Sequence, residues 1–235
     1  MKNKLDWIAI IPARAGSKRL ANKNLLKLGE LSLVEIAVKK AIRSSVFDKV
    51  IISSDSQEII DKAKVFGAEA LGGLRKKELS GDNAKTIDVI KDLLNMQELS
   101  SVVGFTLIQC TSPFTSIKTL AEVTKIAKIN RCSSISIKKI EHSYLEWILV
   151  KENEYIKPAI DKNSSSSKRS QDATPIYSPS GNAYAVNKEY FFSHSDLIGP
   201  RSIPYFISDK NELIDIDDIE DFKSALSAYK NNDFK

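Results

Sequence analysis

Through residue 137 the chain alternates short apolar runs with stretches of helical period. Residues 7–11 (WIAII) form the first run and predict a buried strand stopped by Pro12. Ser32, followed three positions on by Glu35, predicts a capping box. Leu33, Ile36, Ala37 and Ala41 then mark one helical face, which Lys40 interrupts. Residues 50–52 predict a second buried strand, ending at Ser53-Ser54-Asp55. Ile59, Ile60, Ala63 and Phe66 have helical spacing closed by Gly67, and residues 68–71 read as a brief strand. After a polar, turn-like stretch at 74–85, Ile87, Ile90, Leu93 and Leu94 predict a helix and 105–108 a strand. Leu120, Val123, Ile126 and Ala127 predict another helix, and 133–137 another strand. This alternation argues for an α/β fold: a Rossmann-like, mostly parallel sheet with helices on both faces.

The second half breaks the pattern. Residues 144–150 read as an isolated strand, and 163–170 as a polar low-complexity loop. Residues 181–186 and 203–207 predict further strands, and 219–229 a closing helix. The expected organisation is a single domain over 1–235 with an excursion at about 138–182 that does not fit βαβ alternation and could pair with another subunit.

Composition narrows the function classes. The 235 residues are 42% hydrophobic and 28% charged, enough apolar side chain for a core without staples. No stretch approaches the roughly 20 apolar residues of a membrane span. The first apolar run is also too short for a signal sequence, so a cytoplasmic chain with no membrane partner is expected. Cys110 and Cys132 lack metal-ligand spacing and are expected as reduced core thiols. The net charge is +5, but the basic residues are scattered and not interleaved with aromatics. That argues against nucleic acid and for a small polyanion.

The candidate chemistry begins directly after the first strand. There Arg14, Lys18, Arg19 and Lys23 enter a turn that also holds Gly16, Ser17 and Asn24. Small residues let backbone N–H groups face an anion, and the cations suit a triphosphate and a leaving pyrophosphate. The same residues also describe a solvated basic turn, and no Gly-Lys-Ser/Thr of a P-loop is present. Far along the chain, Asp215 and Asp217 sit two residues apart, on one face if the backbone is extended. They could hold one Mg²⁺, or serve only as caps or solvated charges. Asp218, Glu220 and Asp221 suit the first turn of the last helix. Ser54-Asp55 suits a ribose or a helix cap, and Gln109 a base edge or a loop tie. His142 and His194 have no partner pattern for nucleophilic catalysis.

Six separated segments, in order, resemble the CMP-sialic acid synthetases (acylneuraminate cytidylyltransferases), including members that use legionaminic or pseudaminic acid. They are IIPARAGSKRLANKNL, DKVIISSDS, LRKKELSGDNAKT, LIQCTSPF, KRSQDATPIYSPSGNAY and IDIDDIEDF. The resemblance implies CTP and a free nonulosonic acid as substrates, Mg²⁺ as cofactor, and a homodimer in which the excursion swaps across to the partner's site. It implies that Arg14, Ser17, Lys18 and Lys23 surround the phosphates and Asn24 the ribose. Arg75, Ala84 and Thr86 would lie by the cytosine or its ribose, and Gln109 would face the nucleotide or the sugar. Arg169 and Gln171 would lie on the sugar side. Asp215 and Asp217 would divide the roles of base and metal ligand.

Two positions depart from the family pattern, both on the sugar side. Ser180-Gly181, with Asn182 following, stands where the family has Asn-Gly, and Glu146 stands where a cation is expected. The alternatives are a cytidylyltransferase for another keto-acid sugar such as Kdo, or a non-catalytic nucleotide-binding protein on the same fold. A nucleotide-sugar glycosyltransferase would need its Asp-x-Asp after a mid-sheet strand, which the position of Asp215 does not supply.

Overall fold

The computed structural model describes residues 5–231 apart from 18, 146, 147, 154, 160–168 and 170. Its main sheet has six strands. The first three in the chain are β1 (Trp7–Pro12), β4 (Lys49–Ser53) and β5 (Gly104–Ile108), and the next are β6 (Ser133–Tyr144), β9 (Pro175–Asn187) and β10 (Ile203–Phe206). Their spatial order is β10-β6-β9-β5-β1-β4. Strand pairs β1–β4, β1–β5 and β6–β10 are parallel, whereas β9 runs antiparallel to both of its neighbours. The sheet is therefore mostly parallel, with one reversed strand at its middle. Two short hairpins flank it: β2 (Lys27–Leu28) with β3 (Leu31–Ser32), and β7 (Leu149–Glu152) with β8 (Tyr155–Pro158).

Helices cover both faces, because β1 is apolar on both. Trp7, Ala9 and Ile11 face a core that includes α1 (Leu33–Ser44), α2 (Gln57–Val65), α4 (Ile117–Asn130) and Ala225 of α6 (Ile219–Asn231). Ile8 and Ile10 face the other core, with α3 (Thr86–Leu94) and α5 (Lys188–His194). Successive strand residues point to opposite faces, so one continuous apolar run supplies both layers. The predicted capping box is formed: Ser32 N donates to Glu35 Oε2 at 2.7 Å. Trp7 packs against Gly104, where a Cβ would lie 2.3 Å from the indole ring, and its Nε1 donates to Thr106 Oγ1 at 3.0 Å.

Several expectations are revised. Residues 68–71 form no strand; only Glu69 bridges to Ile51, because Gly72 and Gly73, both at positive φ, turn the chain away. Residues 144–150 are not one strand, since β6 ends at Tyr144 and β7 begins at Leu149. Residues 181–186 are the inner part of a strand more than twice as long, β9. Helix α5 was not anticipated; at seven residues it is too short to display a period, yet it buries Tyr190 and Phe191. The low-complexity loop lies almost wholly outside the described residues, as do Glu146 and Trp147, and the side chain of His142 is likewise not described.

Candidate active site

In a sheet of this kind, ligand sites form beyond the carboxyl ends of the strands. There the loops after β1 and β5 and the segment 75–86 enclose a cavity of about 500 Å³. Arg14, Ser17, Lys23 and Asn24 line it from the first loop, and Arg75, Ala84 and Thr86 from the second segment. Gln109 lines it from the end of β5, and Asp217 from the segment before α6. Nine of the residues given a site role from the sequence thus share one space, although they are spread over about two hundred positions. Lys18 lies outside the described residues.

The first loop is held by its neighbours. Ala15 N donates to Asp55 Oδ1 at 2.8 Å, and Asn24 Nδ2 donates to the Arg14 carbonyl at 2.9 Å. Asp55 is therefore a loop tie in this structure, while Ser56 caps α2. The guanidinium of Arg75 is anchored on Ser53, through Nε to Oγ at 3.0 Å and through Nη2 to the carbonyl. Burial lowers its pKa, Asp55 opposes that and Arg14 adds to it. An arginine remains a cation across the working range even so. Arg14 itself pairs with Asp82 at 3.1 Å.

Asp217 meets two cations, Lys23 Nζ at 3.1 Å and Arg19 Nη2 at 2.9 Å. Burial pushes its carboxyl up, but the hydrogen bond and charge of Lys23, joined by Arg19, outweigh that and hold it below the usual carboxylate range. The two pairs are unequal. The Arg19 side chain is 69% exposed, so its pair is worth about 0–1 kcal/mol and yields readily to a stronger anion. Lys23 is only 13% exposed and is the more firmly placed charge.

The two acidic residues do not share one environment. Asp215 does not line the cavity; it lies against Ser112 Oγ, 3.5 Å away, and beside Gly181. Burial, and then the Asp215 charge, raise the pKa of the Tyr184 phenol. Asp218 Oδ1 accepts the amides of Glu220 and Asp221, and Asp221 Oδ2 accepts that of Asp217, which caps α6. Among the described residues no group of three or more His, Cys, Asp and Glu could hold a metal by itself. Carboxylate oxygen is the right donor type for Mg²⁺, which normally takes one or two carboxylates and completes its shell with substrate phosphate and water. Asp217, on the cavity wall among phosphate-seeking cations, fits that pattern.

The sugar-side residues are not brought to the cavity: Arg169 and Gln171 are exposed and do not line it. Arg19, counted among the loop cations but given no site role of its own, also lines it, as does Asp82, which stands inside a motif quoted above and was not singled out. Cys110 also touches the cavity, but burial pushes its thiol up to about 12, far from a nucleophilic thiolate. Both cysteines are free and buried. His194 stacks on Tyr190 at 4.2 Å and bonds its carbonyl, a packing role.

A sequence model of cytidylyltransferases matches residues 8–197. The chain is 32% identical to an N-acylneuraminate cytidylyltransferase of Escherichia coli O18:K1:H7, across 94% of this chain and 51% of that protein. It thus spans about half the length of that relative. It is 28% identical to a pseudaminic acid cytidylyltransferase of Campylobacter jejuni serotype O:2, across 99% of this chain and 98% of that one. The fold is similar to that of a CMP:2-keto-3-deoxy-manno-octonic acid synthetase solved with CTP, with a TM-score of 0.69 at 13% identity over 96% of this chain and 99% of that one. With the family match running across most of the sheet and the loops that line the cavity, this chain belongs to the cytidylyltransferase family.

Proposed function

We propose that the chain transfers CMP from CTP to the anomeric hydroxyl of a nonulosonic acid and releases pyrophosphate. The observation that carries this reading is the cavity in which Arg14, Lys23 and Arg75 face Asp217 at the carboxyl end of the sheet. A triphosphate would bring about four negative charges to these cations. Arg19 and Lys23 would turn from Asp217 to the phosphates, and Ser17 and Asn24 would border the phosphates and ribose. Asp217 would hold Mg²⁺, which would neutralise charge on the leaving pyrophosphate. The sugar oxygen attacks the α-phosphorus, the bond to the β-phosphate oxygen breaks, and the hydroxyl proton passes to Asp215, the candidate base. Lys23 and Arg14 stabilise the charge that develops on the departing group. No covalent enzyme intermediate is needed.

The acceptor side would be completed by a second copy. The β7–β8 hairpin exposes Leu149 at 54%, Tyr155 at 79% and Ile156 at 68%, an apolar surface that a homodimer would cover. Arg169 and Gln171, exposed on the same excursion, would then reach the partner's cavity, Arg169 for the sugar carboxylate. The protein would work in the cytoplasm. Among the described residues no helix is long and apolar enough to cross a membrane.

The test is pyrophosphate release with CTP, Mg²⁺ and four acids: neuraminic, legionaminic, pseudaminic and Kdo. Turnover with at least one nonulosonic acid is expected. Silence with all four overturns the reading, and turnover with Kdo alone replaces its acceptor.

A further inference from the structure

Strand β9 leaves its ladder beside the acidic segment. Between the pairs Ile137–Pro179 and Ile135–Tyr184, β6 has one residue, Ser136, and β9 has four, 180–183. Bulges of this sort re-aim side chains next to functional sites. Ser136 closes the gap: its hydroxyl accepts the Ala183 amide at 2.9 Å and donates to the Ala183 carbonyl at 3.0 Å. Gly181, at φ +85°, presses its backbone against the acidic segment. A Cβ there would lie 3.2 Å from Ser112 Oγ and 3.5 Å from Asp215 Oδ2.

Asn182, the next residue, is 0% exposed and does not line the cavity. Its Nδ2 donates to Thr115 Oγ1 at 2.8 Å and to the Glu212 carbonyl at 2.7 Å. A carbonyl can only accept, which fixes the orientation of the amide. The Thr115 hydroxyl in turn donates a hydrogen bond to the Ser112 carbonyl at 2.9 Å. Ile216 N donates to the Thr111 carbonyl at 2.8 Å, so the acidic segment also lies directly on the loop. One buried amide therefore joins β9, the loop that follows Gln109, and the turn three residues before Asp215.

The other end of the same side chain is left wanting. Among the described residues, Asn182 Oδ1 is buried with no hydrogen-bond partner, as is Ser180 Oγ on the same strand. An unsatisfied buried group is a standing cost that an apolar residue would avoid. The donor end of Asn182 is what the position uses.

We propose that Asn182 is a positioning residue: its amide sets the segment 215–217 against the loop that carries Gln109, and so fixes the base and the metal-holding carboxylate relative to the nucleotide. This rests on the CMP-transfer reading for its effect on rate, and on the bulge alone for its effect on the segment. The experiment compares Asn182→Ala with the parent in two ways. Steady-state kinetics use CTP and whichever acid the parent accepts, and amide hydrogen exchange is followed over 212–217 and over α1. The expected result is a fall in kcat of at least ten-fold with KM for CTP within two-fold. Exchange at 212–217 is expected to quicken at least ten-fold while that of α1 is unchanged. A folded variant with kcat and exchange both within two-fold of the parent overturns the proposal. Should Asn182→Ala not fold, Thr115→Val removes one of the two acceptors, and the same pattern is expected at smaller amplitude; its absence overturns the proposal equally. A parent silent with every acid defeats the CMP-transfer reading, while the exchange comparison still decides whether Asn182 holds the segment.

Discussion

The cavity side of the molecule and the excursion side are built from different material. On the cavity side, the loops after β1 and β5 begin at the ends of buried strands, and the first loop and the segment 75–86 are tied to the end of β4, as Ala15 is to Asp55 and Arg75 to Ser53. Those ties exist before any ligand arrives. On the excursion side, among the described residues β7 and β8 pair only with each other, and Leu149, Tyr155 and Ile156 are exposed. Arg169 and Gln171 are exposed there as well. Charges already gathered in one cavity lower the ordering cost of binding a nucleotide, whereas an acceptor site assembled from an exposed excursion would depend on what docks against it. Under the proposed function, nucleotide recognition would belong to one chain's fold and sugar recognition to its assembly.

The sharpest break of that division is at Asp217. Asp217→Ala is expected to lower kcat at least a thousand-fold while CTP still binds measurably by calorimetry, since Arg14, Lys23 and Arg75 remain. Retained full turnover would take Asp217 out of the mechanism. The carboxyl is depressed in the folded chain, so its contribution to stability is present above the ordinary carboxylate pKa and is lost as the pH falls through the folded value. The variant should therefore lose part of the parent's acid-side drop in stability, which a pH series of thermal melts would show.

Next in size is Arg169→Ala. Losing one charged hydrogen bond to a carboxylate costs about 1.5–3 kcal/mol, which corresponds to a rise of about 10–100-fold in KM for the acid. KM for CTP is expected within two-fold of the parent. A change confined to CTP would merge the two sides. A smaller effect is expected for Ile156→Glu, which puts an unpaired charge on the apolar hairpin face. Sedimentation should show dimer association weakened at least ten-fold, toward monomer, with CTP binding retained. A parent that sediments as a monomer would remove the assembly from the argument.

How far these features could be read from the sequence follows the same division. The β1 run and the α1 capping box were legible because burial imposes a period and a cap imposes residue types. The motif segments were enough to pick out Arg14, Lys23, Arg75, Gln109 and Asp217, which the fold gathers into one cavity. The reversed direction of β9 was not legible, because an antiparallel strand buried on both faces has the same apolar run as a parallel one. Nor was the separation of Asp215 from Asp217: spacing put both on one face, but the cavity takes only the second, and the bulge at Gly181 takes the first. Asn182 was noted in the sequence only as following the Ser180-Gly181 departure, and its two bonds show what the residue does.

The least effect is expected behind the cavity, at Lys40, and it asks whether the cavity side is held from the front alone. From α1, Lys40 Nζ donates to the Pro113 carbonyl, on the loop that follows Gln109. Burial pushes the amine down to about 8, partly opposed by Glu212. Glu30, Lys39, Arg43 and Tyr229 border the same cleft. Between about 8 and the ordinary 10.5 the unfolded chain holds a proton on this amine that the folded chain does not. Stability therefore rises with pH across that window, by about 3 kcal/mol at most. Below it, the buried charge is a standing cost. Lys40→Met removes that cost and also the bond to Pro113, worth about 1 kcal/mol. The variant is expected to melt a few degrees higher at pH 7 and to lose the parent's rise between pH 8 and 10. Unchanged kcat in that variant would show that the network of Asn182, Glu212 and Thr115 suffices to hold the loop. A fall of several-fold would make Lys40 a second anchor, and the cavity side would then owe its rigidity to both faces of the sheet.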